Sequence, residues 1–257
     1  MFLDFLQKTI DVYYSLIPRD KPSLERVKNA HIIAHRGAHN HPQGIMENTL
    51  AAFKRAKELG CWGIELDVHA TADKVLVVNH DPTLNRLWKC NRAIADLKFN
   101  ELRTLVPEVP TLNEVVDAYG DNMHLLIELK TPFHDEEVLA HTLDGLIAGT
   151  HYHLLTLDPE IFYSLTHFPK SSLLLVAVHH NVRQYCGITL KENYGGLLGH
   201  YFLINSQIIK RLKRAEKIIG VGMVDSKSSL YRELNRGINW IFTNRAEELT
   251  FYVRQFE

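Results

Sequence analysis

Short apolar segments alternate with helical segments along most of this chain, and that alternation restricts its fold more than any other sequence feature. The apolar runs are HIIAH, GIELDV, KVLVVNH, HLLIEL, HYHLLTL, SLLLVAV, GGLLGH, KIIGVGMV and NWIFTN. Several are apolar enough to be buried on both faces, as parallel strands are. Between them lie segments with helical periodicity, such as TLAAFKRAKEL, TLNEVVDAYG and SQIIKRLKRAEK. Repeated strand-then-helix order predicts a parallel sheet with right-handed crossovers.

The number of these units favours a closed (β/α)8 TIM barrel of the α/β class over an open doubly wound sheet. KVLVVNH is then an extra strand in the second strand-to-helix connection. Barrels of this kind often reach 257 residues as one domain. We therefore predict one barrel domain over residues 32–257, preceded by a helical extension over residues 1–31. In the first barrel helix, Asn48 is the predicted N-cap and Gly60 the left-handed stop.

Residues 1–17 have apolar side chains at helical spacing, which predicts an amphipathic helix. They lack the basic start and cleavage site of a secretory signal, and they are too short and too charged to span a bilayer. Two interpretations stay open. The helix packs on the barrel or on a partner subunit of a homo-oligomer, or it makes a peripheral contact with a membrane surface.

Cysteine content and charge restrict the location and partners of the protein. The three cysteines are widely spaced and form no CxxC motif, which indicates a reducing, cytoplasmic location. The 29 Lys and Arg residues nearly balance the 30 Asp and Glu residues. That balance argues against nucleic acid as a partner, because nucleic-acid binders carry a basic excess.

Polar side chains collect at the carboxyl ends of the predicted strands, where barrel enzymes place their chemistry. These residues are His35, Arg36, Glu65, Asp67, His80, Glu128 and Lys130. Glu65 and Asp67 have i, i+2 spacing on one predicted strand, and so do Glu128 and Lys130. Both side chains of each pair therefore point to one face of their strand.

The three carboxylates need compensation, because buried like charges would otherwise force at least one of them to be protonated. A bound divalent cation would provide it, and Glu65, Asp67 and Glu128 offer hard oxygen ligands that favour magnesium or calcium over zinc. The alternative is a structural role, in which these residues form salt bridges with Arg36 and Lys130. The presence of two such pairs beside strand-end histidines favours the metal.

His35 and His80 suit acid/base chemistry, one as general base and the other as general acid. Arg36 and Lys130 would hold an anion against the metal, the arginine as a fork and the lysine as a point charge. A metal, two cations and two imidazoles around one anion indicate phosphoryl chemistry.

These residues lie in motifs that resemble the glycerophosphodiester phosphodiesterase family, a group of phospholipase-C-like phosphodiesterase barrels. The resemblance runs from about Ile32 to Ala246. The matching elements are AHRG, MENTLAAF, GIELDVHATADKVLVVNHDPTLNR, IADLKFNELRTL, VPTLNEVV, LLIELK and GINWIFTNRAEEL. The order and spacing of HRG, EN, ExD, HD and ExK make the resemblance specific.

The resemblance implies metal-dependent hydrolysis of glycerophosphodiesters to sn-glycerol 3-phosphate and an alcohol, with one Ca²⁺ or Mg²⁺ ion as cofactor. It assigns catalysis to His35 and His80. The implied metal ligands are Glu65, Asp67 and Glu128, and the implied phosphate-binding residues are Arg36 and Lys130. Glu47 and Asn48 match the family's Glu-Asn pair; we expect Glu47 near the metal and Asn48 at the helix cap.

The chain departs from the family pattern at three places. Gly222-Met223 stands where the family usually has Trp-Thr, Thr243-Asn244 where it has Thr-Asp, and Thr156-Leu157 where it has Ser-Phe. We expect these positions on the far side of the pocket, where they affect the choice of substrate more than the phosphoryl chemistry. An enzymatic alternative is therefore a lysophospholipase D with the same site. A non-catalytic phosphodiester-binding barrel is the other alternative, and two acid/base groups argue against it.

Overall fold

Eight parallel strands form a closed barrel in the part of the chain that the computed structural model describes, residues 13, 16–178 and 180–256. The strands are β1 His31–Ala34, β2 Gly63–Ala70, β3 Leu76–Val78, β4 His124–Leu129, β5 Tyr152–Thr156, β6 Leu173–Ala177, β7 Gly196–His200, β8 Ile218–Gly222 and β9 Trp240–Thr243. β1 pairs in parallel with both β2 and β9, which closes the barrel. β3 is the additional strand and pairs antiparallel with β2. The predicted (β/α)8 barrel and its extra strand are both confirmed.

Helices surround the barrel. Those in the described residues are α1 Leu24–Lys28, α2 Leu50–Glu58, α3 Asn85–Trp88, α4 Phe99–Leu105, α5 Leu112–Tyr119, α6 Glu136–Thr142, α7 Pro159–Ser164, α8 Val182–Lys191, α9 Ser206–Arg214, α10 Lys227–Asn235 and α11 Ala246–Arg254. Short 3-10 turns lie at His41–Gln43, Ile94–Asp96 and Lys170–Ser172.

The predicted amphipathic helix of residues 1–17 lies largely outside the described residues. The membrane contact and the boundary of the extension over residues 1–31 therefore stay predictions. The homo-oligomer and the cytoplasmic location are also untested and stay predictions. Within the described ranges, α1 is held against the barrel domain by Arg26, whose Nη1 donates to the carbonyl oxygen of Asn235 at 2.9 Å. Among these residues we find no helix with the length and apolar character needed to cross a bilayer.

Apolar side chains fill the lower part of the barrel, and a larger apolar layer separates the strands from the helices. The side chains packed inside the barrel include Ile33, Leu126, Leu155, Leu174, Leu198, Trp240 and Phe242. Ile64 and Leu66 of β2 belong to the outer layer. Side chains alternate along a strand. Glu65 and Asp67, which alternate with Ile64 and Leu66 on β2, therefore point into the barrel.

Gly37 lets the loop after β1 turn back against α2. It has a φ of +77°, a left-handed conformation that favours glycine. A Cβ atom at this position would lie 2.8 Å from Cβ of Ala52 on α2, so a side chain has no room. The tight turn determines the direction in which His35 and Arg36 leave the strand.

Histidine and tryptophan side chains close the amino-terminal end of the barrel. The ring of Trp62 stacks on those of His31 and His124, with centroid distances of 4.1 and 4.3 Å. His124 Nδ1 donates to the carbonyl oxygen of Thr150 at 3.0 Å, so its Nε2 accepts the 2.7 Å hydrogen bond from His153 Nδ1. Burial lowers the pKa of His124 to about 3 and that of His153 to about 4. Both rings are therefore neutral in the folded protein at pH 7.

This pair predicts a loss of stability in weak acid. The folded-state pKa values of His124 and His153 lie below the unfolded value of 6.5. The contribution of the neutral rings to the free energy of unfolding is therefore present above pH 6.5 and is lost as the pH falls towards 4. In the variant His153→Phe we expect the difference in unfolding free energy between pH 7 and pH 5 to shrink by about 1–2 kcal/mol. Urea denaturation at the two pH values measures it.

The control is His134→Gln, which removes an exposed histidine. The pH difference in this control should equal that of the unmodified protein. An equal effect of the two substitutions would show that the buried pair has no special role in acid sensitivity.

Candidate active site

The carboxyl ends of the strands bring the predicted site residues together around one cavity of about 280 Å³. The predicted residues that line it are His35, Arg36, Glu65, His80, Glu128 and Lys130. Asp67 lies directly beside them, with Oδ1 2.7 Å from Lys130 Nζ. His35 follows β1 and His80 follows β3, whereas the carboxylates are carried by β2 and β4. The antiparallel β3 is therefore what returns the chain to this end and delivers His80.

Glu65, Asp67 and Glu128 form a buried carboxylate triad. Each offers one oxygen that lies within 4.8 Å of those of the other two. Burial raises the pKa of Glu65 well above its usual value, and the charges of Asp67 and Glu128 raise it further. Burial, and next the charge of Asp67, also raise the pKa of Glu128. Without a cation, the triad therefore resists carrying three negative charges.

Lys130 and Arg36 supply part of the compensating charge. Lys130 Nζ donates to Asp67 Oδ1 at 2.7 Å and also to Glu128 Oε1, and Arg36 Nε lies 3.4 Å from Asp67 Oδ2. Although burial opposes its ionisation, Lys130 and then Arg36 hold the pKa of Asp67 below its usual value. Burial also opposes the charge of Lys130, but Asp67 and Glu128 raise its pKa above the usual value. The salt bridges of the structural interpretation are thus present.

These cations compensate Glu65 only in part, because Arg36 and Lys130 lower its pKa less than burial and the neighbouring carboxylates raise it. Its Oε2 accepts a hydrogen bond from the backbone N–H of Arg36 at 2.9 Å. The ring of His35 also lies close, with Nε2 3.8 Å from Glu65 Oε2, but the neutral ring adds no positive charge. A divalent cation beside Glu65, Asp67 and Glu128 would compensate the remaining charge with hard oxygen donors. The residues present therefore fit such an ion.

Glu47 lies between two guanidinium groups and outside the carboxylate triad. Its Oε1 accepts hydrogen bonds from Arg36 Nη1 at 2.9 Å and Arg86 Nη2 at 2.6 Å. Burial raises the pKa of Glu47, but Arg86 and Arg36 together lower it to about 2. Arg86 Nε also donates to Asp81 Oδ2 at 2.5 Å, and Asp81 Oδ1 accepts from His80 Nδ1 at 2.8 Å. A continuous series of polar contacts thus joins Arg36 to His80.

Asn48 is not the N-cap of α2, and that prediction is wrong. The cap is Thr49, whose Oγ1 accepts from the backbone N–H of Ala52 at 3.2 Å. Asn48 has a φ of +58°, and asparagine tolerates this left-handed conformation whereas an N-cap residue is extended. Its buried Nδ2 donates to Asp67 Oδ2 at 2.7 Å. Asn48 therefore orients a carboxylate of the triad.

Both strand-end imidazoles are held through Nδ1. His35 Nδ1 donates to Asn244 Oδ1 at 2.8 Å, and His80 Nδ1 donates to Asp81 Oδ1 at 2.8 Å. Burial, and then the charge of Arg36, lower the pKa of His35 to about 4. Burial also lowers the pKa of His80. His35 therefore keeps an unprotonated Nε2 at neutral pH, the form in which an imidazole accepts a proton. At His80, the charge of Asp67 and the hydrogen bond to Asp81 oppose the effect of burial and favour the protonated ring.

Sequence reasoning assigned no supporting role to the residues that hold the two imidazoles, which are Asp81, Arg86, Asp225 and Asn244. Asn244 was expected on the far side of the pocket; that prediction is wrong, because Asn244 Oδ1 lies 2.8 Å from His35 Nδ1. Asp81 and Arg86 lie in the quoted segment HDPTLNR, where a carboxylate next to His80 and an arginine five residues further were available signals. Asp225 follows β8 and comes close to Asn244 only after the barrel closes. No spacing pattern in the sequence indicates that contact.

The other half of the cavity is apolar. Its lining includes Leu155, Leu157, Val176, Leu198, Leu203, Met223 and Phe242. Leu157 is 41% exposed and so lies at the cavity mouth. Leu157 and Met223 belong to the positions at which the sequence departs from the family pattern, and the structure places both of them in the wall of this pocket, with Gly222 beside them.

The fold and this pocket define a (β/α)8-barrel enzyme that combines carboxylate, cationic and imidazole groups at one site. A sequence model described as the Glycerophosphoryl diester phosphodiesterase family matches residues 35–248. The chain belongs to this family, which confirms the resemblance, and it is a phosphoric diester hydrolase.

Curated relatives agree with this assignment over most of their length. The chain is 30% identical over 244 residues to the glycerophosphodiester phosphodiesterase of Caldanaerobacter subterraneus subsp. tengcongensis, covering 87% of this chain and 98% of the relative. It is 25% identical over 252 residues to the glycerophosphodiester phosphodiesterase of Bacillus subtilis, covering 82% of each chain.

Solved structures share the fold. The glycerophosphodiester phosphodiesterase of Thermotoga maritima superposes with a TM-score of 0.72 at 23% identity, covering 88% of this chain and 98% of the other. An Oleispira antarctica phosphodiesterase, solved in complex with the product sn-glycerol-3-phosphate, superposes with a TM-score of 0.70 at 19% identity. The shared region covers 90% of this chain and 99% of that chain.

The carboxylate triad predicts a metal-dependent melting temperature. Calcium or magnesium should raise the melting temperature of the unmodified protein, because an ion bound to the folded state stabilises it by mass action. In Glu65→Gln this rise should be lost, while the melting temperature without metal should be unchanged or higher, because one buried like charge is gone. Differential scanning fluorimetry with EDTA or with each ion measures both quantities.

The matched control is Glu58→Gln on α2, an exposed glutamate paired with Lys54. It should keep the full metal response. A metal response in Glu65→Gln as large as in the control would contradict the assignment of Glu65 as a ligand.

Proposed function

We propose that this chain hydrolyses glycerophosphodiesters to sn-glycerol 3-phosphate and an alcohol, with a divalent cation held by Glu65, Asp67 and Glu128. The observation that carries the proposal is that two imidazoles, the carboxylates and two cationic side chains face one cavity. A pocket that only binds a phosphodiester needs no pair of acid/base groups, so the arrangement favours catalysis over binding. The product found in the Oleispira antarctica relative supports the same substrate class.

Arg36 and Lys130 are the proposed phosphate-binding residues. Arg36 presents a planar set of donors that suits two phosphate oxygens, and Lys130 adds a point charge. Glu47 holds the guanidinium of Arg36 in place through its 2.9 Å contact. When a divalent cation is bound, it polarises a phosphate oxygen and compensates the charge that develops there.

His35 and His80 are the proposed acid/base pair. One Nε2 accepts the proton of the glycerol 2-hydroxyl as the oxygen bonds to phosphorus, and the other imidazole, in its protonated form, donates a proton to the leaving alcohol as its P–O bond breaks. Water then attacks the cyclic phosphate. Its proton passes to the second imidazole, and the first returns a proton to the 2-oxygen, which releases sn-glycerol 3-phosphate and restores both rings.

The reaction and the metal can be tested together. We expect release of glycerol 3-phosphate from glycerophosphocholine and glycerophosphoethanolamine, loss of this activity with EDTA, and recovery with calcium or magnesium. The ion that restores turnover at the lower concentration identifies the preferred metal. Undiminished turnover in EDTA, after removal of metal has been verified by elemental analysis, would contradict metal dependence.

A second variant separates catalysis from metal binding. His35→Ala should lower kcat by about 10²–10⁴-fold, the usual contribution of a general acid or base. The metal-induced rise in melting temperature should remain, because the three carboxylates are intact. A loss of both properties would indicate that the substitution disrupts the site as a whole.

The apolar half of the cavity favours a second candidate substrate, a lysophospholipid, which would make the chain a lysophospholipase D. Leu157, Leu203 and Met223 offer a surface that an acyl chain can cover. The phosphodiester of such a lipid would occupy the same polar half as a glycerophosphodiester. A membrane contact through residues 1–17 would bring the protein close to this substrate.

Choline release distinguishes the two substrates in one assay. With monomeric lysophosphatidylcholine as a substrate, Leu157→Gln should lower kcat/KM by about 10-fold, because burial of a leucine side chain contributes about 1.5 kcal/mol or more. With glycerophosphocholine the variant should be unchanged. Leu105→Gln, at an exposed leucine on α4, is the control for general effects. Equal kcat/KM values of Leu157→Gln and the unmodified protein on the lipid would exclude acyl contact at this wall.

A further inference from the structure

The partner of His35 determines which of its ring nitrogens carries the proton. His35 Nδ1 lies 2.8 Å from Asn244 Oδ1. An amide oxygen only accepts hydrogen bonds, so Nδ1 carries the hydrogen and Nε2 carries the lone pair. Nε2 is the atom that faces the carboxylate triad, 3.8 Å from Glu65 Oε2.

The orientation of the Asn244 amide is itself fixed by Asp225. Asn244 Nδ2 lies 3.4 Å from Asp225 Oδ2, and a carboxylate oxygen accepts only from the amide nitrogen. Asp225 is held in turn, because its Oδ1 accepts from the backbone N–H of Asn244 at 2.8 Å and from Thr243 Oγ1 at 2.8 Å. His39 Nε2 also lies 3.4 Å from Asn244 Oδ1, and the tautomer of His39 with hydrogen on Nε2 is compatible with the same orientation.

We propose that Asp225 and Asn244 act as a pair of positioning residues, in which the carboxylate orients the amide and the amide fixes the tautomer and direction of the His35 ring. The pair lies at the ends of two strands, since Asp225 follows β8 and Asn244 follows β9. The kinetic consequence rests on the proposed function, because it assumes that His35 Nε2 exchanges the reacting proton.

His80 shows why Asn244 requires this support. The partner of His80 Nδ1 is the carboxylate of Asp81, which accepts with either oxygen and so imposes the tautomer without help. An amide offers an acceptor on one side and a donor on the other. If Asn244 rotated by half a turn, its Nδ2 would face His35 Nδ1 and would favour the tautomer with the hydrogen on Nε2.

Asp225→Asn tests the pair with almost no change in size. The new amide at residue 225 can donate where the carboxylate could only accept, so the orientation of Asn244 is no longer fixed. We expect a population of the His35 tautomer with hydrogen on Nε2. We also expect kcat for glycerophosphocholine to fall by about 10- to 100-fold, as is usual when an outer hydrogen-bond partner is lost, with KM little changed.

The exchanged double variant Asp225→Asn, Asn244→Asp restores the polarity of the contact. The amide at residue 225 then donates to the carboxylate at residue 244, and that carboxylate accepts from His35 Nδ1. The amide oxygen at residue 225 still accepts from Thr243 Oγ1 and from the backbone N–H of residue 244. We expect the double variant to recover at least ten-fold of the lost kcat, because the carboxylate at residue 244 sets the His35 tautomer as Asp81 does at His80. A loss of kcat that came from a disrupted fold would not be recovered.

Long-range ¹H–¹⁵N correlation spectra of histidine-labelled protein read the tautomer directly, with the His35 signal assigned through His35→Gln. The unmodified protein should show hydrogen on Nδ1 of His35. Hydrogen on Nε2 in the unmodified protein, or an unchanged tautomer in Asp225→Asn, would overturn the proposal. Since these spectra need no turnover, they decide it even if glycerophosphocholine is not a substrate.

The matched control is Asp117→Asn on α5. Asp117 is an exposed aspartate whose Oδ2 also accepts from an asparagine amide, that of Asn113, at 2.9 Å. This variant should leave both the His35 tautomer and kcat unchanged. Circular dichroism compares the folding of all variants. If Asp225→Asn alone is unfolded, the tautomer of the unmodified protein and the activity of the exchanged double variant still decide the outcome.

Discussion

The charge balance of the buried carboxylate triad is the constraint on which the rest of the site depends. Glu65, Asp67 and Glu128 share one end of the barrel, where water cannot screen their repulsion. Lys130 and Arg36 compensate Asp67 and Glu128 in part, while Glu65 forms no side-chain ion pair with a lysine or arginine among the described residues. A divalent cation would complete the balance, and the same positive groups would then attract the anionic phosphodiester of the proposed substrate. The same side chains would therefore both balance the charge of the triad and bind the proposed substrate.

Hydrogen bonds through Arg86 connect the proposed phosphate-binding groups with the proposed acid/base groups. Its guanidinium contacts Glu47, which holds Arg36, and Asp81, which holds His80. Each carboxylate in this series lies between two positive or donor groups, so none is left with an uncompensated charge. Movement of one group would change the hydrogen bonds of the next. The network therefore favours a preorganised site, which reduces the cost of ordering side chains when substrate binds.

The two ends of the barrel use histidine in opposite ways. At the amino-terminal end, His124 and His153 are bonded to each other and stacked among aromatic rings, which makes them part of the packed core. At the carboxyl end, His35 and His80 use only Nδ1 for support, so Nε2 of each remains directed at the cavity. Burial lowers the pKa of all four rings, and only geometry distinguishes a structural histidine from a reactive one.

The sequence by itself determined the barrel, the extra strand and the grouping of Glu65, Asp67 and Glu128, because side-chain period and strand order are local properties. It did not determine the partners of those residues. Asn48 was predicted as a helix cap because cap residues are recognised by type, whereas its left-handed backbone turns it towards Asp67, 19 positions away. Arg86 contacts Glu47 across 39 positions, and His35 contacts Asn244 across 209. Only closure of the barrel brings such groups within hydrogen-bond distance, so the tertiary structure alone decided how each reactive side chain is held.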